Sequence, residues 1–243
     1  MTVRILHGNF KDVIPNVKAD LVFTSPPYNI GSKSERKDGQ RRQGKYDAKS
    51  YGAIRGYPDN LPEAEYQDQQ VSFLHWAVTR MKKSGVLVYN HKPRRKGGRL
   101  IHPFEWFARV PELTLMEEVI WNRGSTHNHC NRLMWPHTER LYVFRRTDGK
   151  YTFQNTGNLD FRSDVWCLSR GKTNGHNAPF PLVLAEAVIN AWSSPGDLVL
   201  DPYCGSGTTA VAARGLGRAF LGAEVLKKYH KLATQRLSER SAV

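Results

Sequence analysis

The stretch from Asp197 to Glu224, DLVLDPYCGSGTTAVAARGLGRAFLGAE, constrains the fold more than any other part of the chain. An apolar run ends at the acidic Asp201, a turn with Gly205 and Gly207 follows, and a helix-forming segment leads to a second apolar run ending at Glu224. Strand, turn, helix and strand in that order make a βαβ unit, which requires a parallel sheet. Gly205 and Gly207 allow the backbone to turn sharply and to approach a ligand, and Thr208 and Thr209 can cap the helix or bond to that ligand. No Lys follows the glycines, so this is not a phosphate loop, and the GxGxxG fingerprint is incomplete. In doubly wound sheets an acidic residue ending the second strand is placed to hold ribose hydroxyls. That suits Glu224 to a nucleoside ligand. The plain alternative is a charge stabilising the start of the helix that follows.

The remainder of the chain keeps alternating short apolar runs with amphipathic segments, as an α/β fold does. The pattern predicts strands over 3–7, 20–24, 85–90, 118–121, 140–144, 197–200 and 218–222. It predicts helices over 63–83, 103–109, 181–193, 207–214 and 225–240. Val71, Leu74, His75, Val78 and Met81 recur at helical spacing in the first helix. Residues 32–62 and 145–178 have weak periodicity and many Gly, Asn and Arg residues. They read as insertions on a single domain spanning 1–243.

Charge narrows the partner. Lys plus Arg number 36 against 22 for Asp plus Glu, a net charge of +14, which attracts polyanions and is typical of nucleic-acid binders. The excess is clustered in two runs. One holds Lys33, Arg36, Lys37, Arg41, Arg42 and Lys45, the other Lys92, Arg94, Arg95, Lys96 and Arg99. Both lack apolar periodicity and read as loops, each following a hydrophobic strand. They suggest a positive rim around a cleft. The alternative is a pair of solvated loops.

A composition of 40% hydrophobic, 24% charged and 11% aromatic residues excludes a wholly disordered chain, a collagen or a coiled coil. No apolar run is long enough to span a bilayer, and the N-terminal residues lack a secretory pattern. Cys130, Cys167 and Cys204 have no paired spacing, which argues against a disulfide framework and for a reducing cytoplasm. His127, His129, Cys130 and His137 match no common zinc spacing, so no metal is expected.

The segment ADLVFTSPPYNIG (19–31) is a buried-type strand running into Ser25, Pro26, Pro27 and Tyr28. Consecutive prolines fix φ and remove two backbone donors, which leaves carbonyls free to accept. With a tyrosine ring on that rigid stalk, the turn suits a planar base bearing an exocyclic amine. An ordinary proline turn ending a strand fits the local pattern equally well.

TSPPY together with DPYCGSGTT resembles the amino-methyltransferases that act on the exocyclic nitrogens of cytosine or adenine in DNA. The order, SPPY first and the glycine motif near the C-terminus, is similar to the β group of that family. WNRG (121–124) and PHTERLYVF (136–144) resemble its sheet strands beyond the catalytic motif. HNAPFPLVLAEAVI (176–189) resembles the lead-in to its cofactor loop, and GAEVLKKYHKLA (222–233) the strand end and helix after it. The resemblance covers nearly the whole chain.

It implies a Rossmann-like, circularly permuted, mostly parallel sheet with an antiparallel edge hairpin and helices on both faces. It also implies S-adenosylmethionine as cofactor. By motif match, Asp201, Pro202, Tyr203, Gly205, Gly207, Thr208 and Thr209 line the methionine side, and Glu224 takes the ribose hydroxyls. His176, Pro179 and Phe180 cover the methionine end. Where the family commonly has Gly-Asp after its first strand this chain has Gly8-Asn9, so a charged acceptor for the adenine amine is lost.

The implied reaction acts on a base flipped out of DNA. Tyr28 stacks on the base, the Ser25 hydroxyl and Pro26 carbonyl accept the amine protons, and the nitrogen attacks the methyl directly. Ser-Pro-Pro-Tyr favours cytosine N4, while the Asn29-Ile30-Gly31 continuation also occurs in adenine enzymes. A cognate restriction enzyme is a partner that such a protein can have. Two other classes compete: an inactive nucleic-acid-binding module on the same scaffold, and a methyltransferase for small molecules or proteins.

Overall fold

The computed structural model describes residues 2–29, 60–124, 134–154, 161–169 and 180–239. In chain order the elements are β1 (Val3–His7), α1 (Phe10–Val13), β2 (Ala19–Thr24), α2 (Glu63–Arg80) and β3 (Met81–His91). Then come β4 (Arg94–Lys96), β5 (Arg99–Ile101), α3 (Phe104–Phe107), β6 (Leu113–Asn122), β7 (Thr138–Arg146) and β8 (Val165–Cys167). The last part holds α4 (Leu182–Trp192), β9 (Leu198–Asp201), α5 (Thr208–Gly215), β10 (Ala219–Glu224) and α6 (Lys227–Glu239).

Eight strands form one sheet in the order β1-β10-β9-β2-β3-β7-β6-β8. The five strands from β1 to β3 in that order run parallel, so β1, β10, β9, β2 and β3 all end at the same edge. β7 is antiparallel to both β3 and β6. The central strands are buried on both faces, which is why they read as continuous apolar runs. Along them the side chains alternate between two cores. Leu21, Phe23, Val86, Val88, Leu141 and Val143 face the core under α4 and α5. Val22, Leu87, Tyr89, Tyr142 and Phe144 face the other core, with Phe73, Leu74 and Ala77 of α2 and Trp106 of α3. Each such side chain contributes about 1.5–3 kcal/mol by leaving water. The result is a doubly wound, mostly parallel α/β sheet, as expected, but its one reversed strand, β7, lies inside the sheet, and the outermost β8 again runs parallel to β6.

Three local expectations need correction. The helix predicted over 63–83 stops at Arg80, and β3 begins at Met81, which pairs with Ala19 of β2. The buried face of α2 is Tyr66, Gln70, Phe73, Leu74 and Ala77 rather than the Val71–Met81 stripe. Only Leu74 belongs to both, and the polar Gln70 is buried with its side-chain oxygen accepting from the Tyr89 hydroxyl at 2.7 Å. Residues 94–101 form the hairpin β4–β5 rather than a loop, and β8 adds an outermost strand parallel to β6. Among the described residues, no helix is long and apolar enough to cross a membrane.

Candidate active site

The parallel strands deliver their C-terminal residues to one edge, where ligands of open α/β sheets bind. Gly8 leaves β1 with φ +144°, and a Cβ there would lie 2.5 Å from Val13 Cγ1. Asn9 follows, exposed, with its side-chain oxygen accepting from Lys11 N at 3.0 Å to cap α1. The expected acceptor for the adenine amine is thus already a helix cap.

Asp201 ends β9 almost fully buried. Its Oδ1 accepts from Thr24 Oγ1 at 2.8 Å and from Tyr203 N at 3.1 Å, and its Oδ2 from Thr209 Oγ1 at 2.6 Å. Glu224 ends β10 and accepts from Gly205 N at 3.0 Å and Leu226 N at 2.8 Å. Its carboxylate therefore shapes both the glycine turn and the approach to α6. Burial raises both acids, Asp201 from about 3.8 to about 6 and Glu224 above the ordinary glutamate range, against the hydrogen bonds that lower them. Neither forms an ion pair among the described residues. A ligand that brings positive charge and hydroxyl donors fits this pair of acids.

Gly207 is demanded by packing. It has φ +77°, and a Cβ would lie 2.9 Å from Ala233 Cβ of α6. The threonine expectation is corrected as well. Gly207 is the N-cap of α5, the Thr209 hydroxyl is spent on Asp201, and Thr208 Oγ1 accepts from Arg236 at 3.3 Å. Both threonines are buried. Pro202 is buried beside them, and the Tyr203 ring packs 5.1 Å from Phe10. Phe180 lies half-buried, 5.0 Å from the Phe23 ring. His176 and Pro179 fall outside the described residues.

Ser25 to Tyr28 leave β2 beside Asp201, to which Thr24 is tied. Ser25 Oγ lies 3.1 Å from Tyr28 Oη, and Asn90 Nδ2 of β3 lies 3.5 Å from Ser25 Oγ. Asn90 is buried, and its Oδ1 has no hydrogen-bond partner among the described residues. The Pro27 carbonyl lies 2.9 Å from the Tyr66 hydroxyl. The Tyr28 ring sits 4.4 Å from that of His91 and 5.5 Å from Lys92 Nζ. Burial holds His91 well below the usual histidine range; its Nδ1–H donates to the Lys92 carbonyl at 2.8 Å and its Nε2 faces Tyr66 Oη at 2.7 Å. An aromatic ring, a hydroxyl and two carboxylates thus converge on one edge.

The profile of the N6/N4 DNA methylases, described as DNA methylase, matches residues 19–235. The chain belongs to that family. DNA adenine methyltransferase YhdJ of Escherichia coli K12 is 25% identical, covering 98% of this chain and 83% of its own. Type II methyltransferase M.ScaI of Streptomyces caespitosus is 27% identical, covering 97% and 81%. Among solved structures, the cytosine-N4-specific PvuII DNA methyltransferase superposes with a TM-score of 0.74 at 20% identity, covering 97% of this chain and 87% of that one. M1.HpyAVI in complex with SAM gives 0.64 at 19% identity, covering 97% and 100%. These two share the fold, and the chain is a DNA methyltransferase of the N4/N6 family.

Placing the basic runs on this methyltransferase corrects one residue. Arg94 is buried, forms a bidentate pair with Glu63 at 2.7 and 3.0 Å, and stacks 4.4 Å from the Tyr66 ring centre. Burial would raise the Glu63 carboxyl, but the Arg94 hydrogen bonds outweigh it and hold it below its ordinary value. Arg94 is a core residue, not a phosphate contact. Arg95 beside it is exposed and forms no ion pair among the described residues, and Lys92 lies at Tyr28. Lys33, Arg36, Lys37, Arg41 and Arg42 fall outside the described residues, as do His127, His129 and Cys130.

Asn90, His91, Arg123 and Glu139 also belong to the Tyr28 surroundings, and sequence reasoning missed them. The available signal was polarity in an apolar context. Asn90 and His91 close a strand of buried residues, and Glu139 opens one.

Proposed function

We propose that this DNA methyltransferase transfers the methyl group of S-adenosylmethionine to the N4 amine of a flipped-out cytosine. The observation that carries the reading is the juxtaposition of Ser25–Tyr28 with Asp201, linked through Thr24 Oγ1 at 2.8 Å. Glu224 would hold the ribose hydroxyls, and Asp201 would face the positive methionine end. S-adenosylmethionine, when bound, supplies an activated methyl group. Everything else falls to this chain. Ser25 Oγ and the Pro26 carbonyl accept hydrogen bonds from the two amine N–H groups, which draws the nitrogen lone pair out of conjugation. Tyr28 replaces stacking lost when the base leaves the duplex. The rigid Pro26-Pro27 turn keeps acceptors and ring aligned.

Cytosine is preferred because the motif begins with Ser25. Adenine N6 is the second reading, favoured by the likeness to YhdJ, named a DNA adenine methyltransferase, and by Asn29-Ile30-Gly31. Mass spectrometry of nucleosides from DNA treated with protein and cofactor decides between them. N4-methylcytosine is expected; N6-methyladenine alone would replace the first reading with the second. No modified base, with cofactor bound, would favour the inactive DNA-binding module.

The basic runs would contact phosphates. Replacing Arg41, Arg42 and Arg95 with Ala should weaken DNA binding and reduce the salt slope by about one unit per lost contact. Arg94→Ala should instead cost about 3 kcal/mol in stability, because it removes the bidentate partner of the partly buried Glu63. Salt titrations and denaturant melts of these variants check both statements. A wild-type salt slope would leave Arg41, Arg42 and Arg95 as solvated side chains that contact no phosphate.

A further inference from the structure

The hydrogen bond between Ser25 and Tyr28 is part of a longer chain. Tyr28 Oη also lies 3.0 Å from Glu139 Oε2 at the start of β7. The other carboxylate oxygen, Oε1, takes Arg123 Nη1 at 2.8 Å and has Lys92 Nζ at 3.8 Å. Arg123 in turn donates to the carbonyls of Pro136 at 2.6 Å and His137 at 3.3 Å. Glu139 is 9% exposed and Arg123 is 3% exposed, so neither is a mobile surface group.

This arrangement favours one direction for each proton in the chain. A carboxylate accepts and cannot donate, and a tyrosine hydroxyl has one proton to give. The Tyr28 proton therefore goes to Glu139. The Tyr28 oxygen then acts only as acceptor toward Ser25, so the Ser25 proton points inward to Tyr28. Asn90 Nδ2, 3.5 Å away, is a second donor toward Ser25 Oγ. What Ser25 has left for a ligand is a lone pair.

We propose that Glu139 is a positioning residue for methyl transfer: through Tyr28 it makes Ser25 an obligate hydrogen-bond acceptor for the target amine. The inference rests on the methyl-transfer reading above. A serine free to rotate could donate its proton to the amine nitrogen and occupy the lone pair that must attack. Directed inward, the same hydroxyl can only receive an amine proton. Glu139 controls the nucleophile without touching it.

Glu139→Gln tests this because Arg123 dictates how the amide sits. Arg123 is a donor, so the glutamine oxygen must face it, and the NH2 group must face Tyr28. The Tyr28 proton then turns to Ser25, and the Ser25 proton turns outward to the amine. The expected result is a fall in kcat of about ten- to a hundredfold, with the affinities for cofactor and DNA retained. Tyr28→Phe removes the relay and frees Ser25 to rotate, so adding Glu139→Gln to Tyr28→Phe should cost nothing further. Additive losses in the double variant would overturn the proposal and make Glu139 a merely structural partner of Arg123. A second readout does not need turnover. With 13C-labelled tyrosine, the Tyr28 Cζ resonance, assigned by its loss in Tyr28→Phe, should move upfield in Glu139→Gln; an unmoved resonance overturns the proton direction. A wild-type protein that transfers no methyl group to DNA would overturn the parent reading, and the resonance would still report the chain's polarity.

Discussion

Asp201→Asn is expected to make the protein more stable at pH 8 and a poorer binder of S-adenosylmethionine. The folded protein holds the Asp201 proton up to about pH 6, whereas an ordinary aspartate loses it near 3.8. Between those values the folded state binds more protons than the unfolded one, so stability falls as pH rises through that window and stays low above it. The difference amounts to about 3 kcal/mol for two pKa units. Asparagine removes the charge yet keeps the contacts, since its oxygen can accept from Thr24 and Tyr203 and its NH2 can donate to Thr209. The stability gain should therefore appear at pH 8 and vanish near pH 4. Cofactor affinity should fall by about ten- to a hundredfold, the value of a hydrogen bond to a charged group. In the wild type, affinity should climb as pH rises through 6, because a cationic ligand needs the ionised acid. Thermal melts across pH and calorimetric titrations give both quantities. Wild-type affinity in a stabilised Asp201→Asn protein would mean that no positive group of the cofactor faces this residue.

The same residue shows what was legible in the sequence. Asp201 and Glu224 could be placed because a βαβ unit fixes both strand ends at one sheet edge, and local apolar patterning reveals the unit. Ser25 to Tyr28 were legible for a similar reason, as a proline turn after a buried strand. Bonds between distant segments were not. Arg94 looked like one more charge in a basic, glycine-rich run. Its burial depends on Glu63, Tyr66 and Trp106, brought to it from two helices. The Thr208 and Thr209 hydroxyls suited a helix cap by position, and tertiary partners took them instead. Glu139 and Arg123 meet only because β6 and β7 pair in a register that sets Trp121 opposite Glu139. Periodicity cannot show a register. Met81 was misread because it continues a helical spacing by coincidence while its backbone is already extended at ψ 142°.

Tyr28→Ala should reduce methyl transfer further than Tyr28→Phe, and the gap between them measures the ring. Phenylalanine keeps a surface for the flipped base and loses only the hydroxyl link between Ser25 and Glu139. Alanine loses the link and the ring together. Stacking of one base on an aromatic side chain is worth about 1–3 kcal/mol, so the alanine variant should fall about tenfold or more below the phenylalanine variant. That extra loss belongs to flipping. Placing the target base in a mismatch lowers the cost of extracting it, and so should return part of the activity of Tyr28→Ala while adding little to Tyr28→Phe. Single-turnover rates on paired and mismatched duplexes make the comparison. Equal rates for the two variants on paired DNA would remove stacking from the account of Tyr28 and leave its hydroxyl as the whole contribution. Rescue by the mismatch in both variants alike would place the flipping contact elsewhere, with Lys92, 5.5 Å from the Tyr28 ring, as the next group to replace.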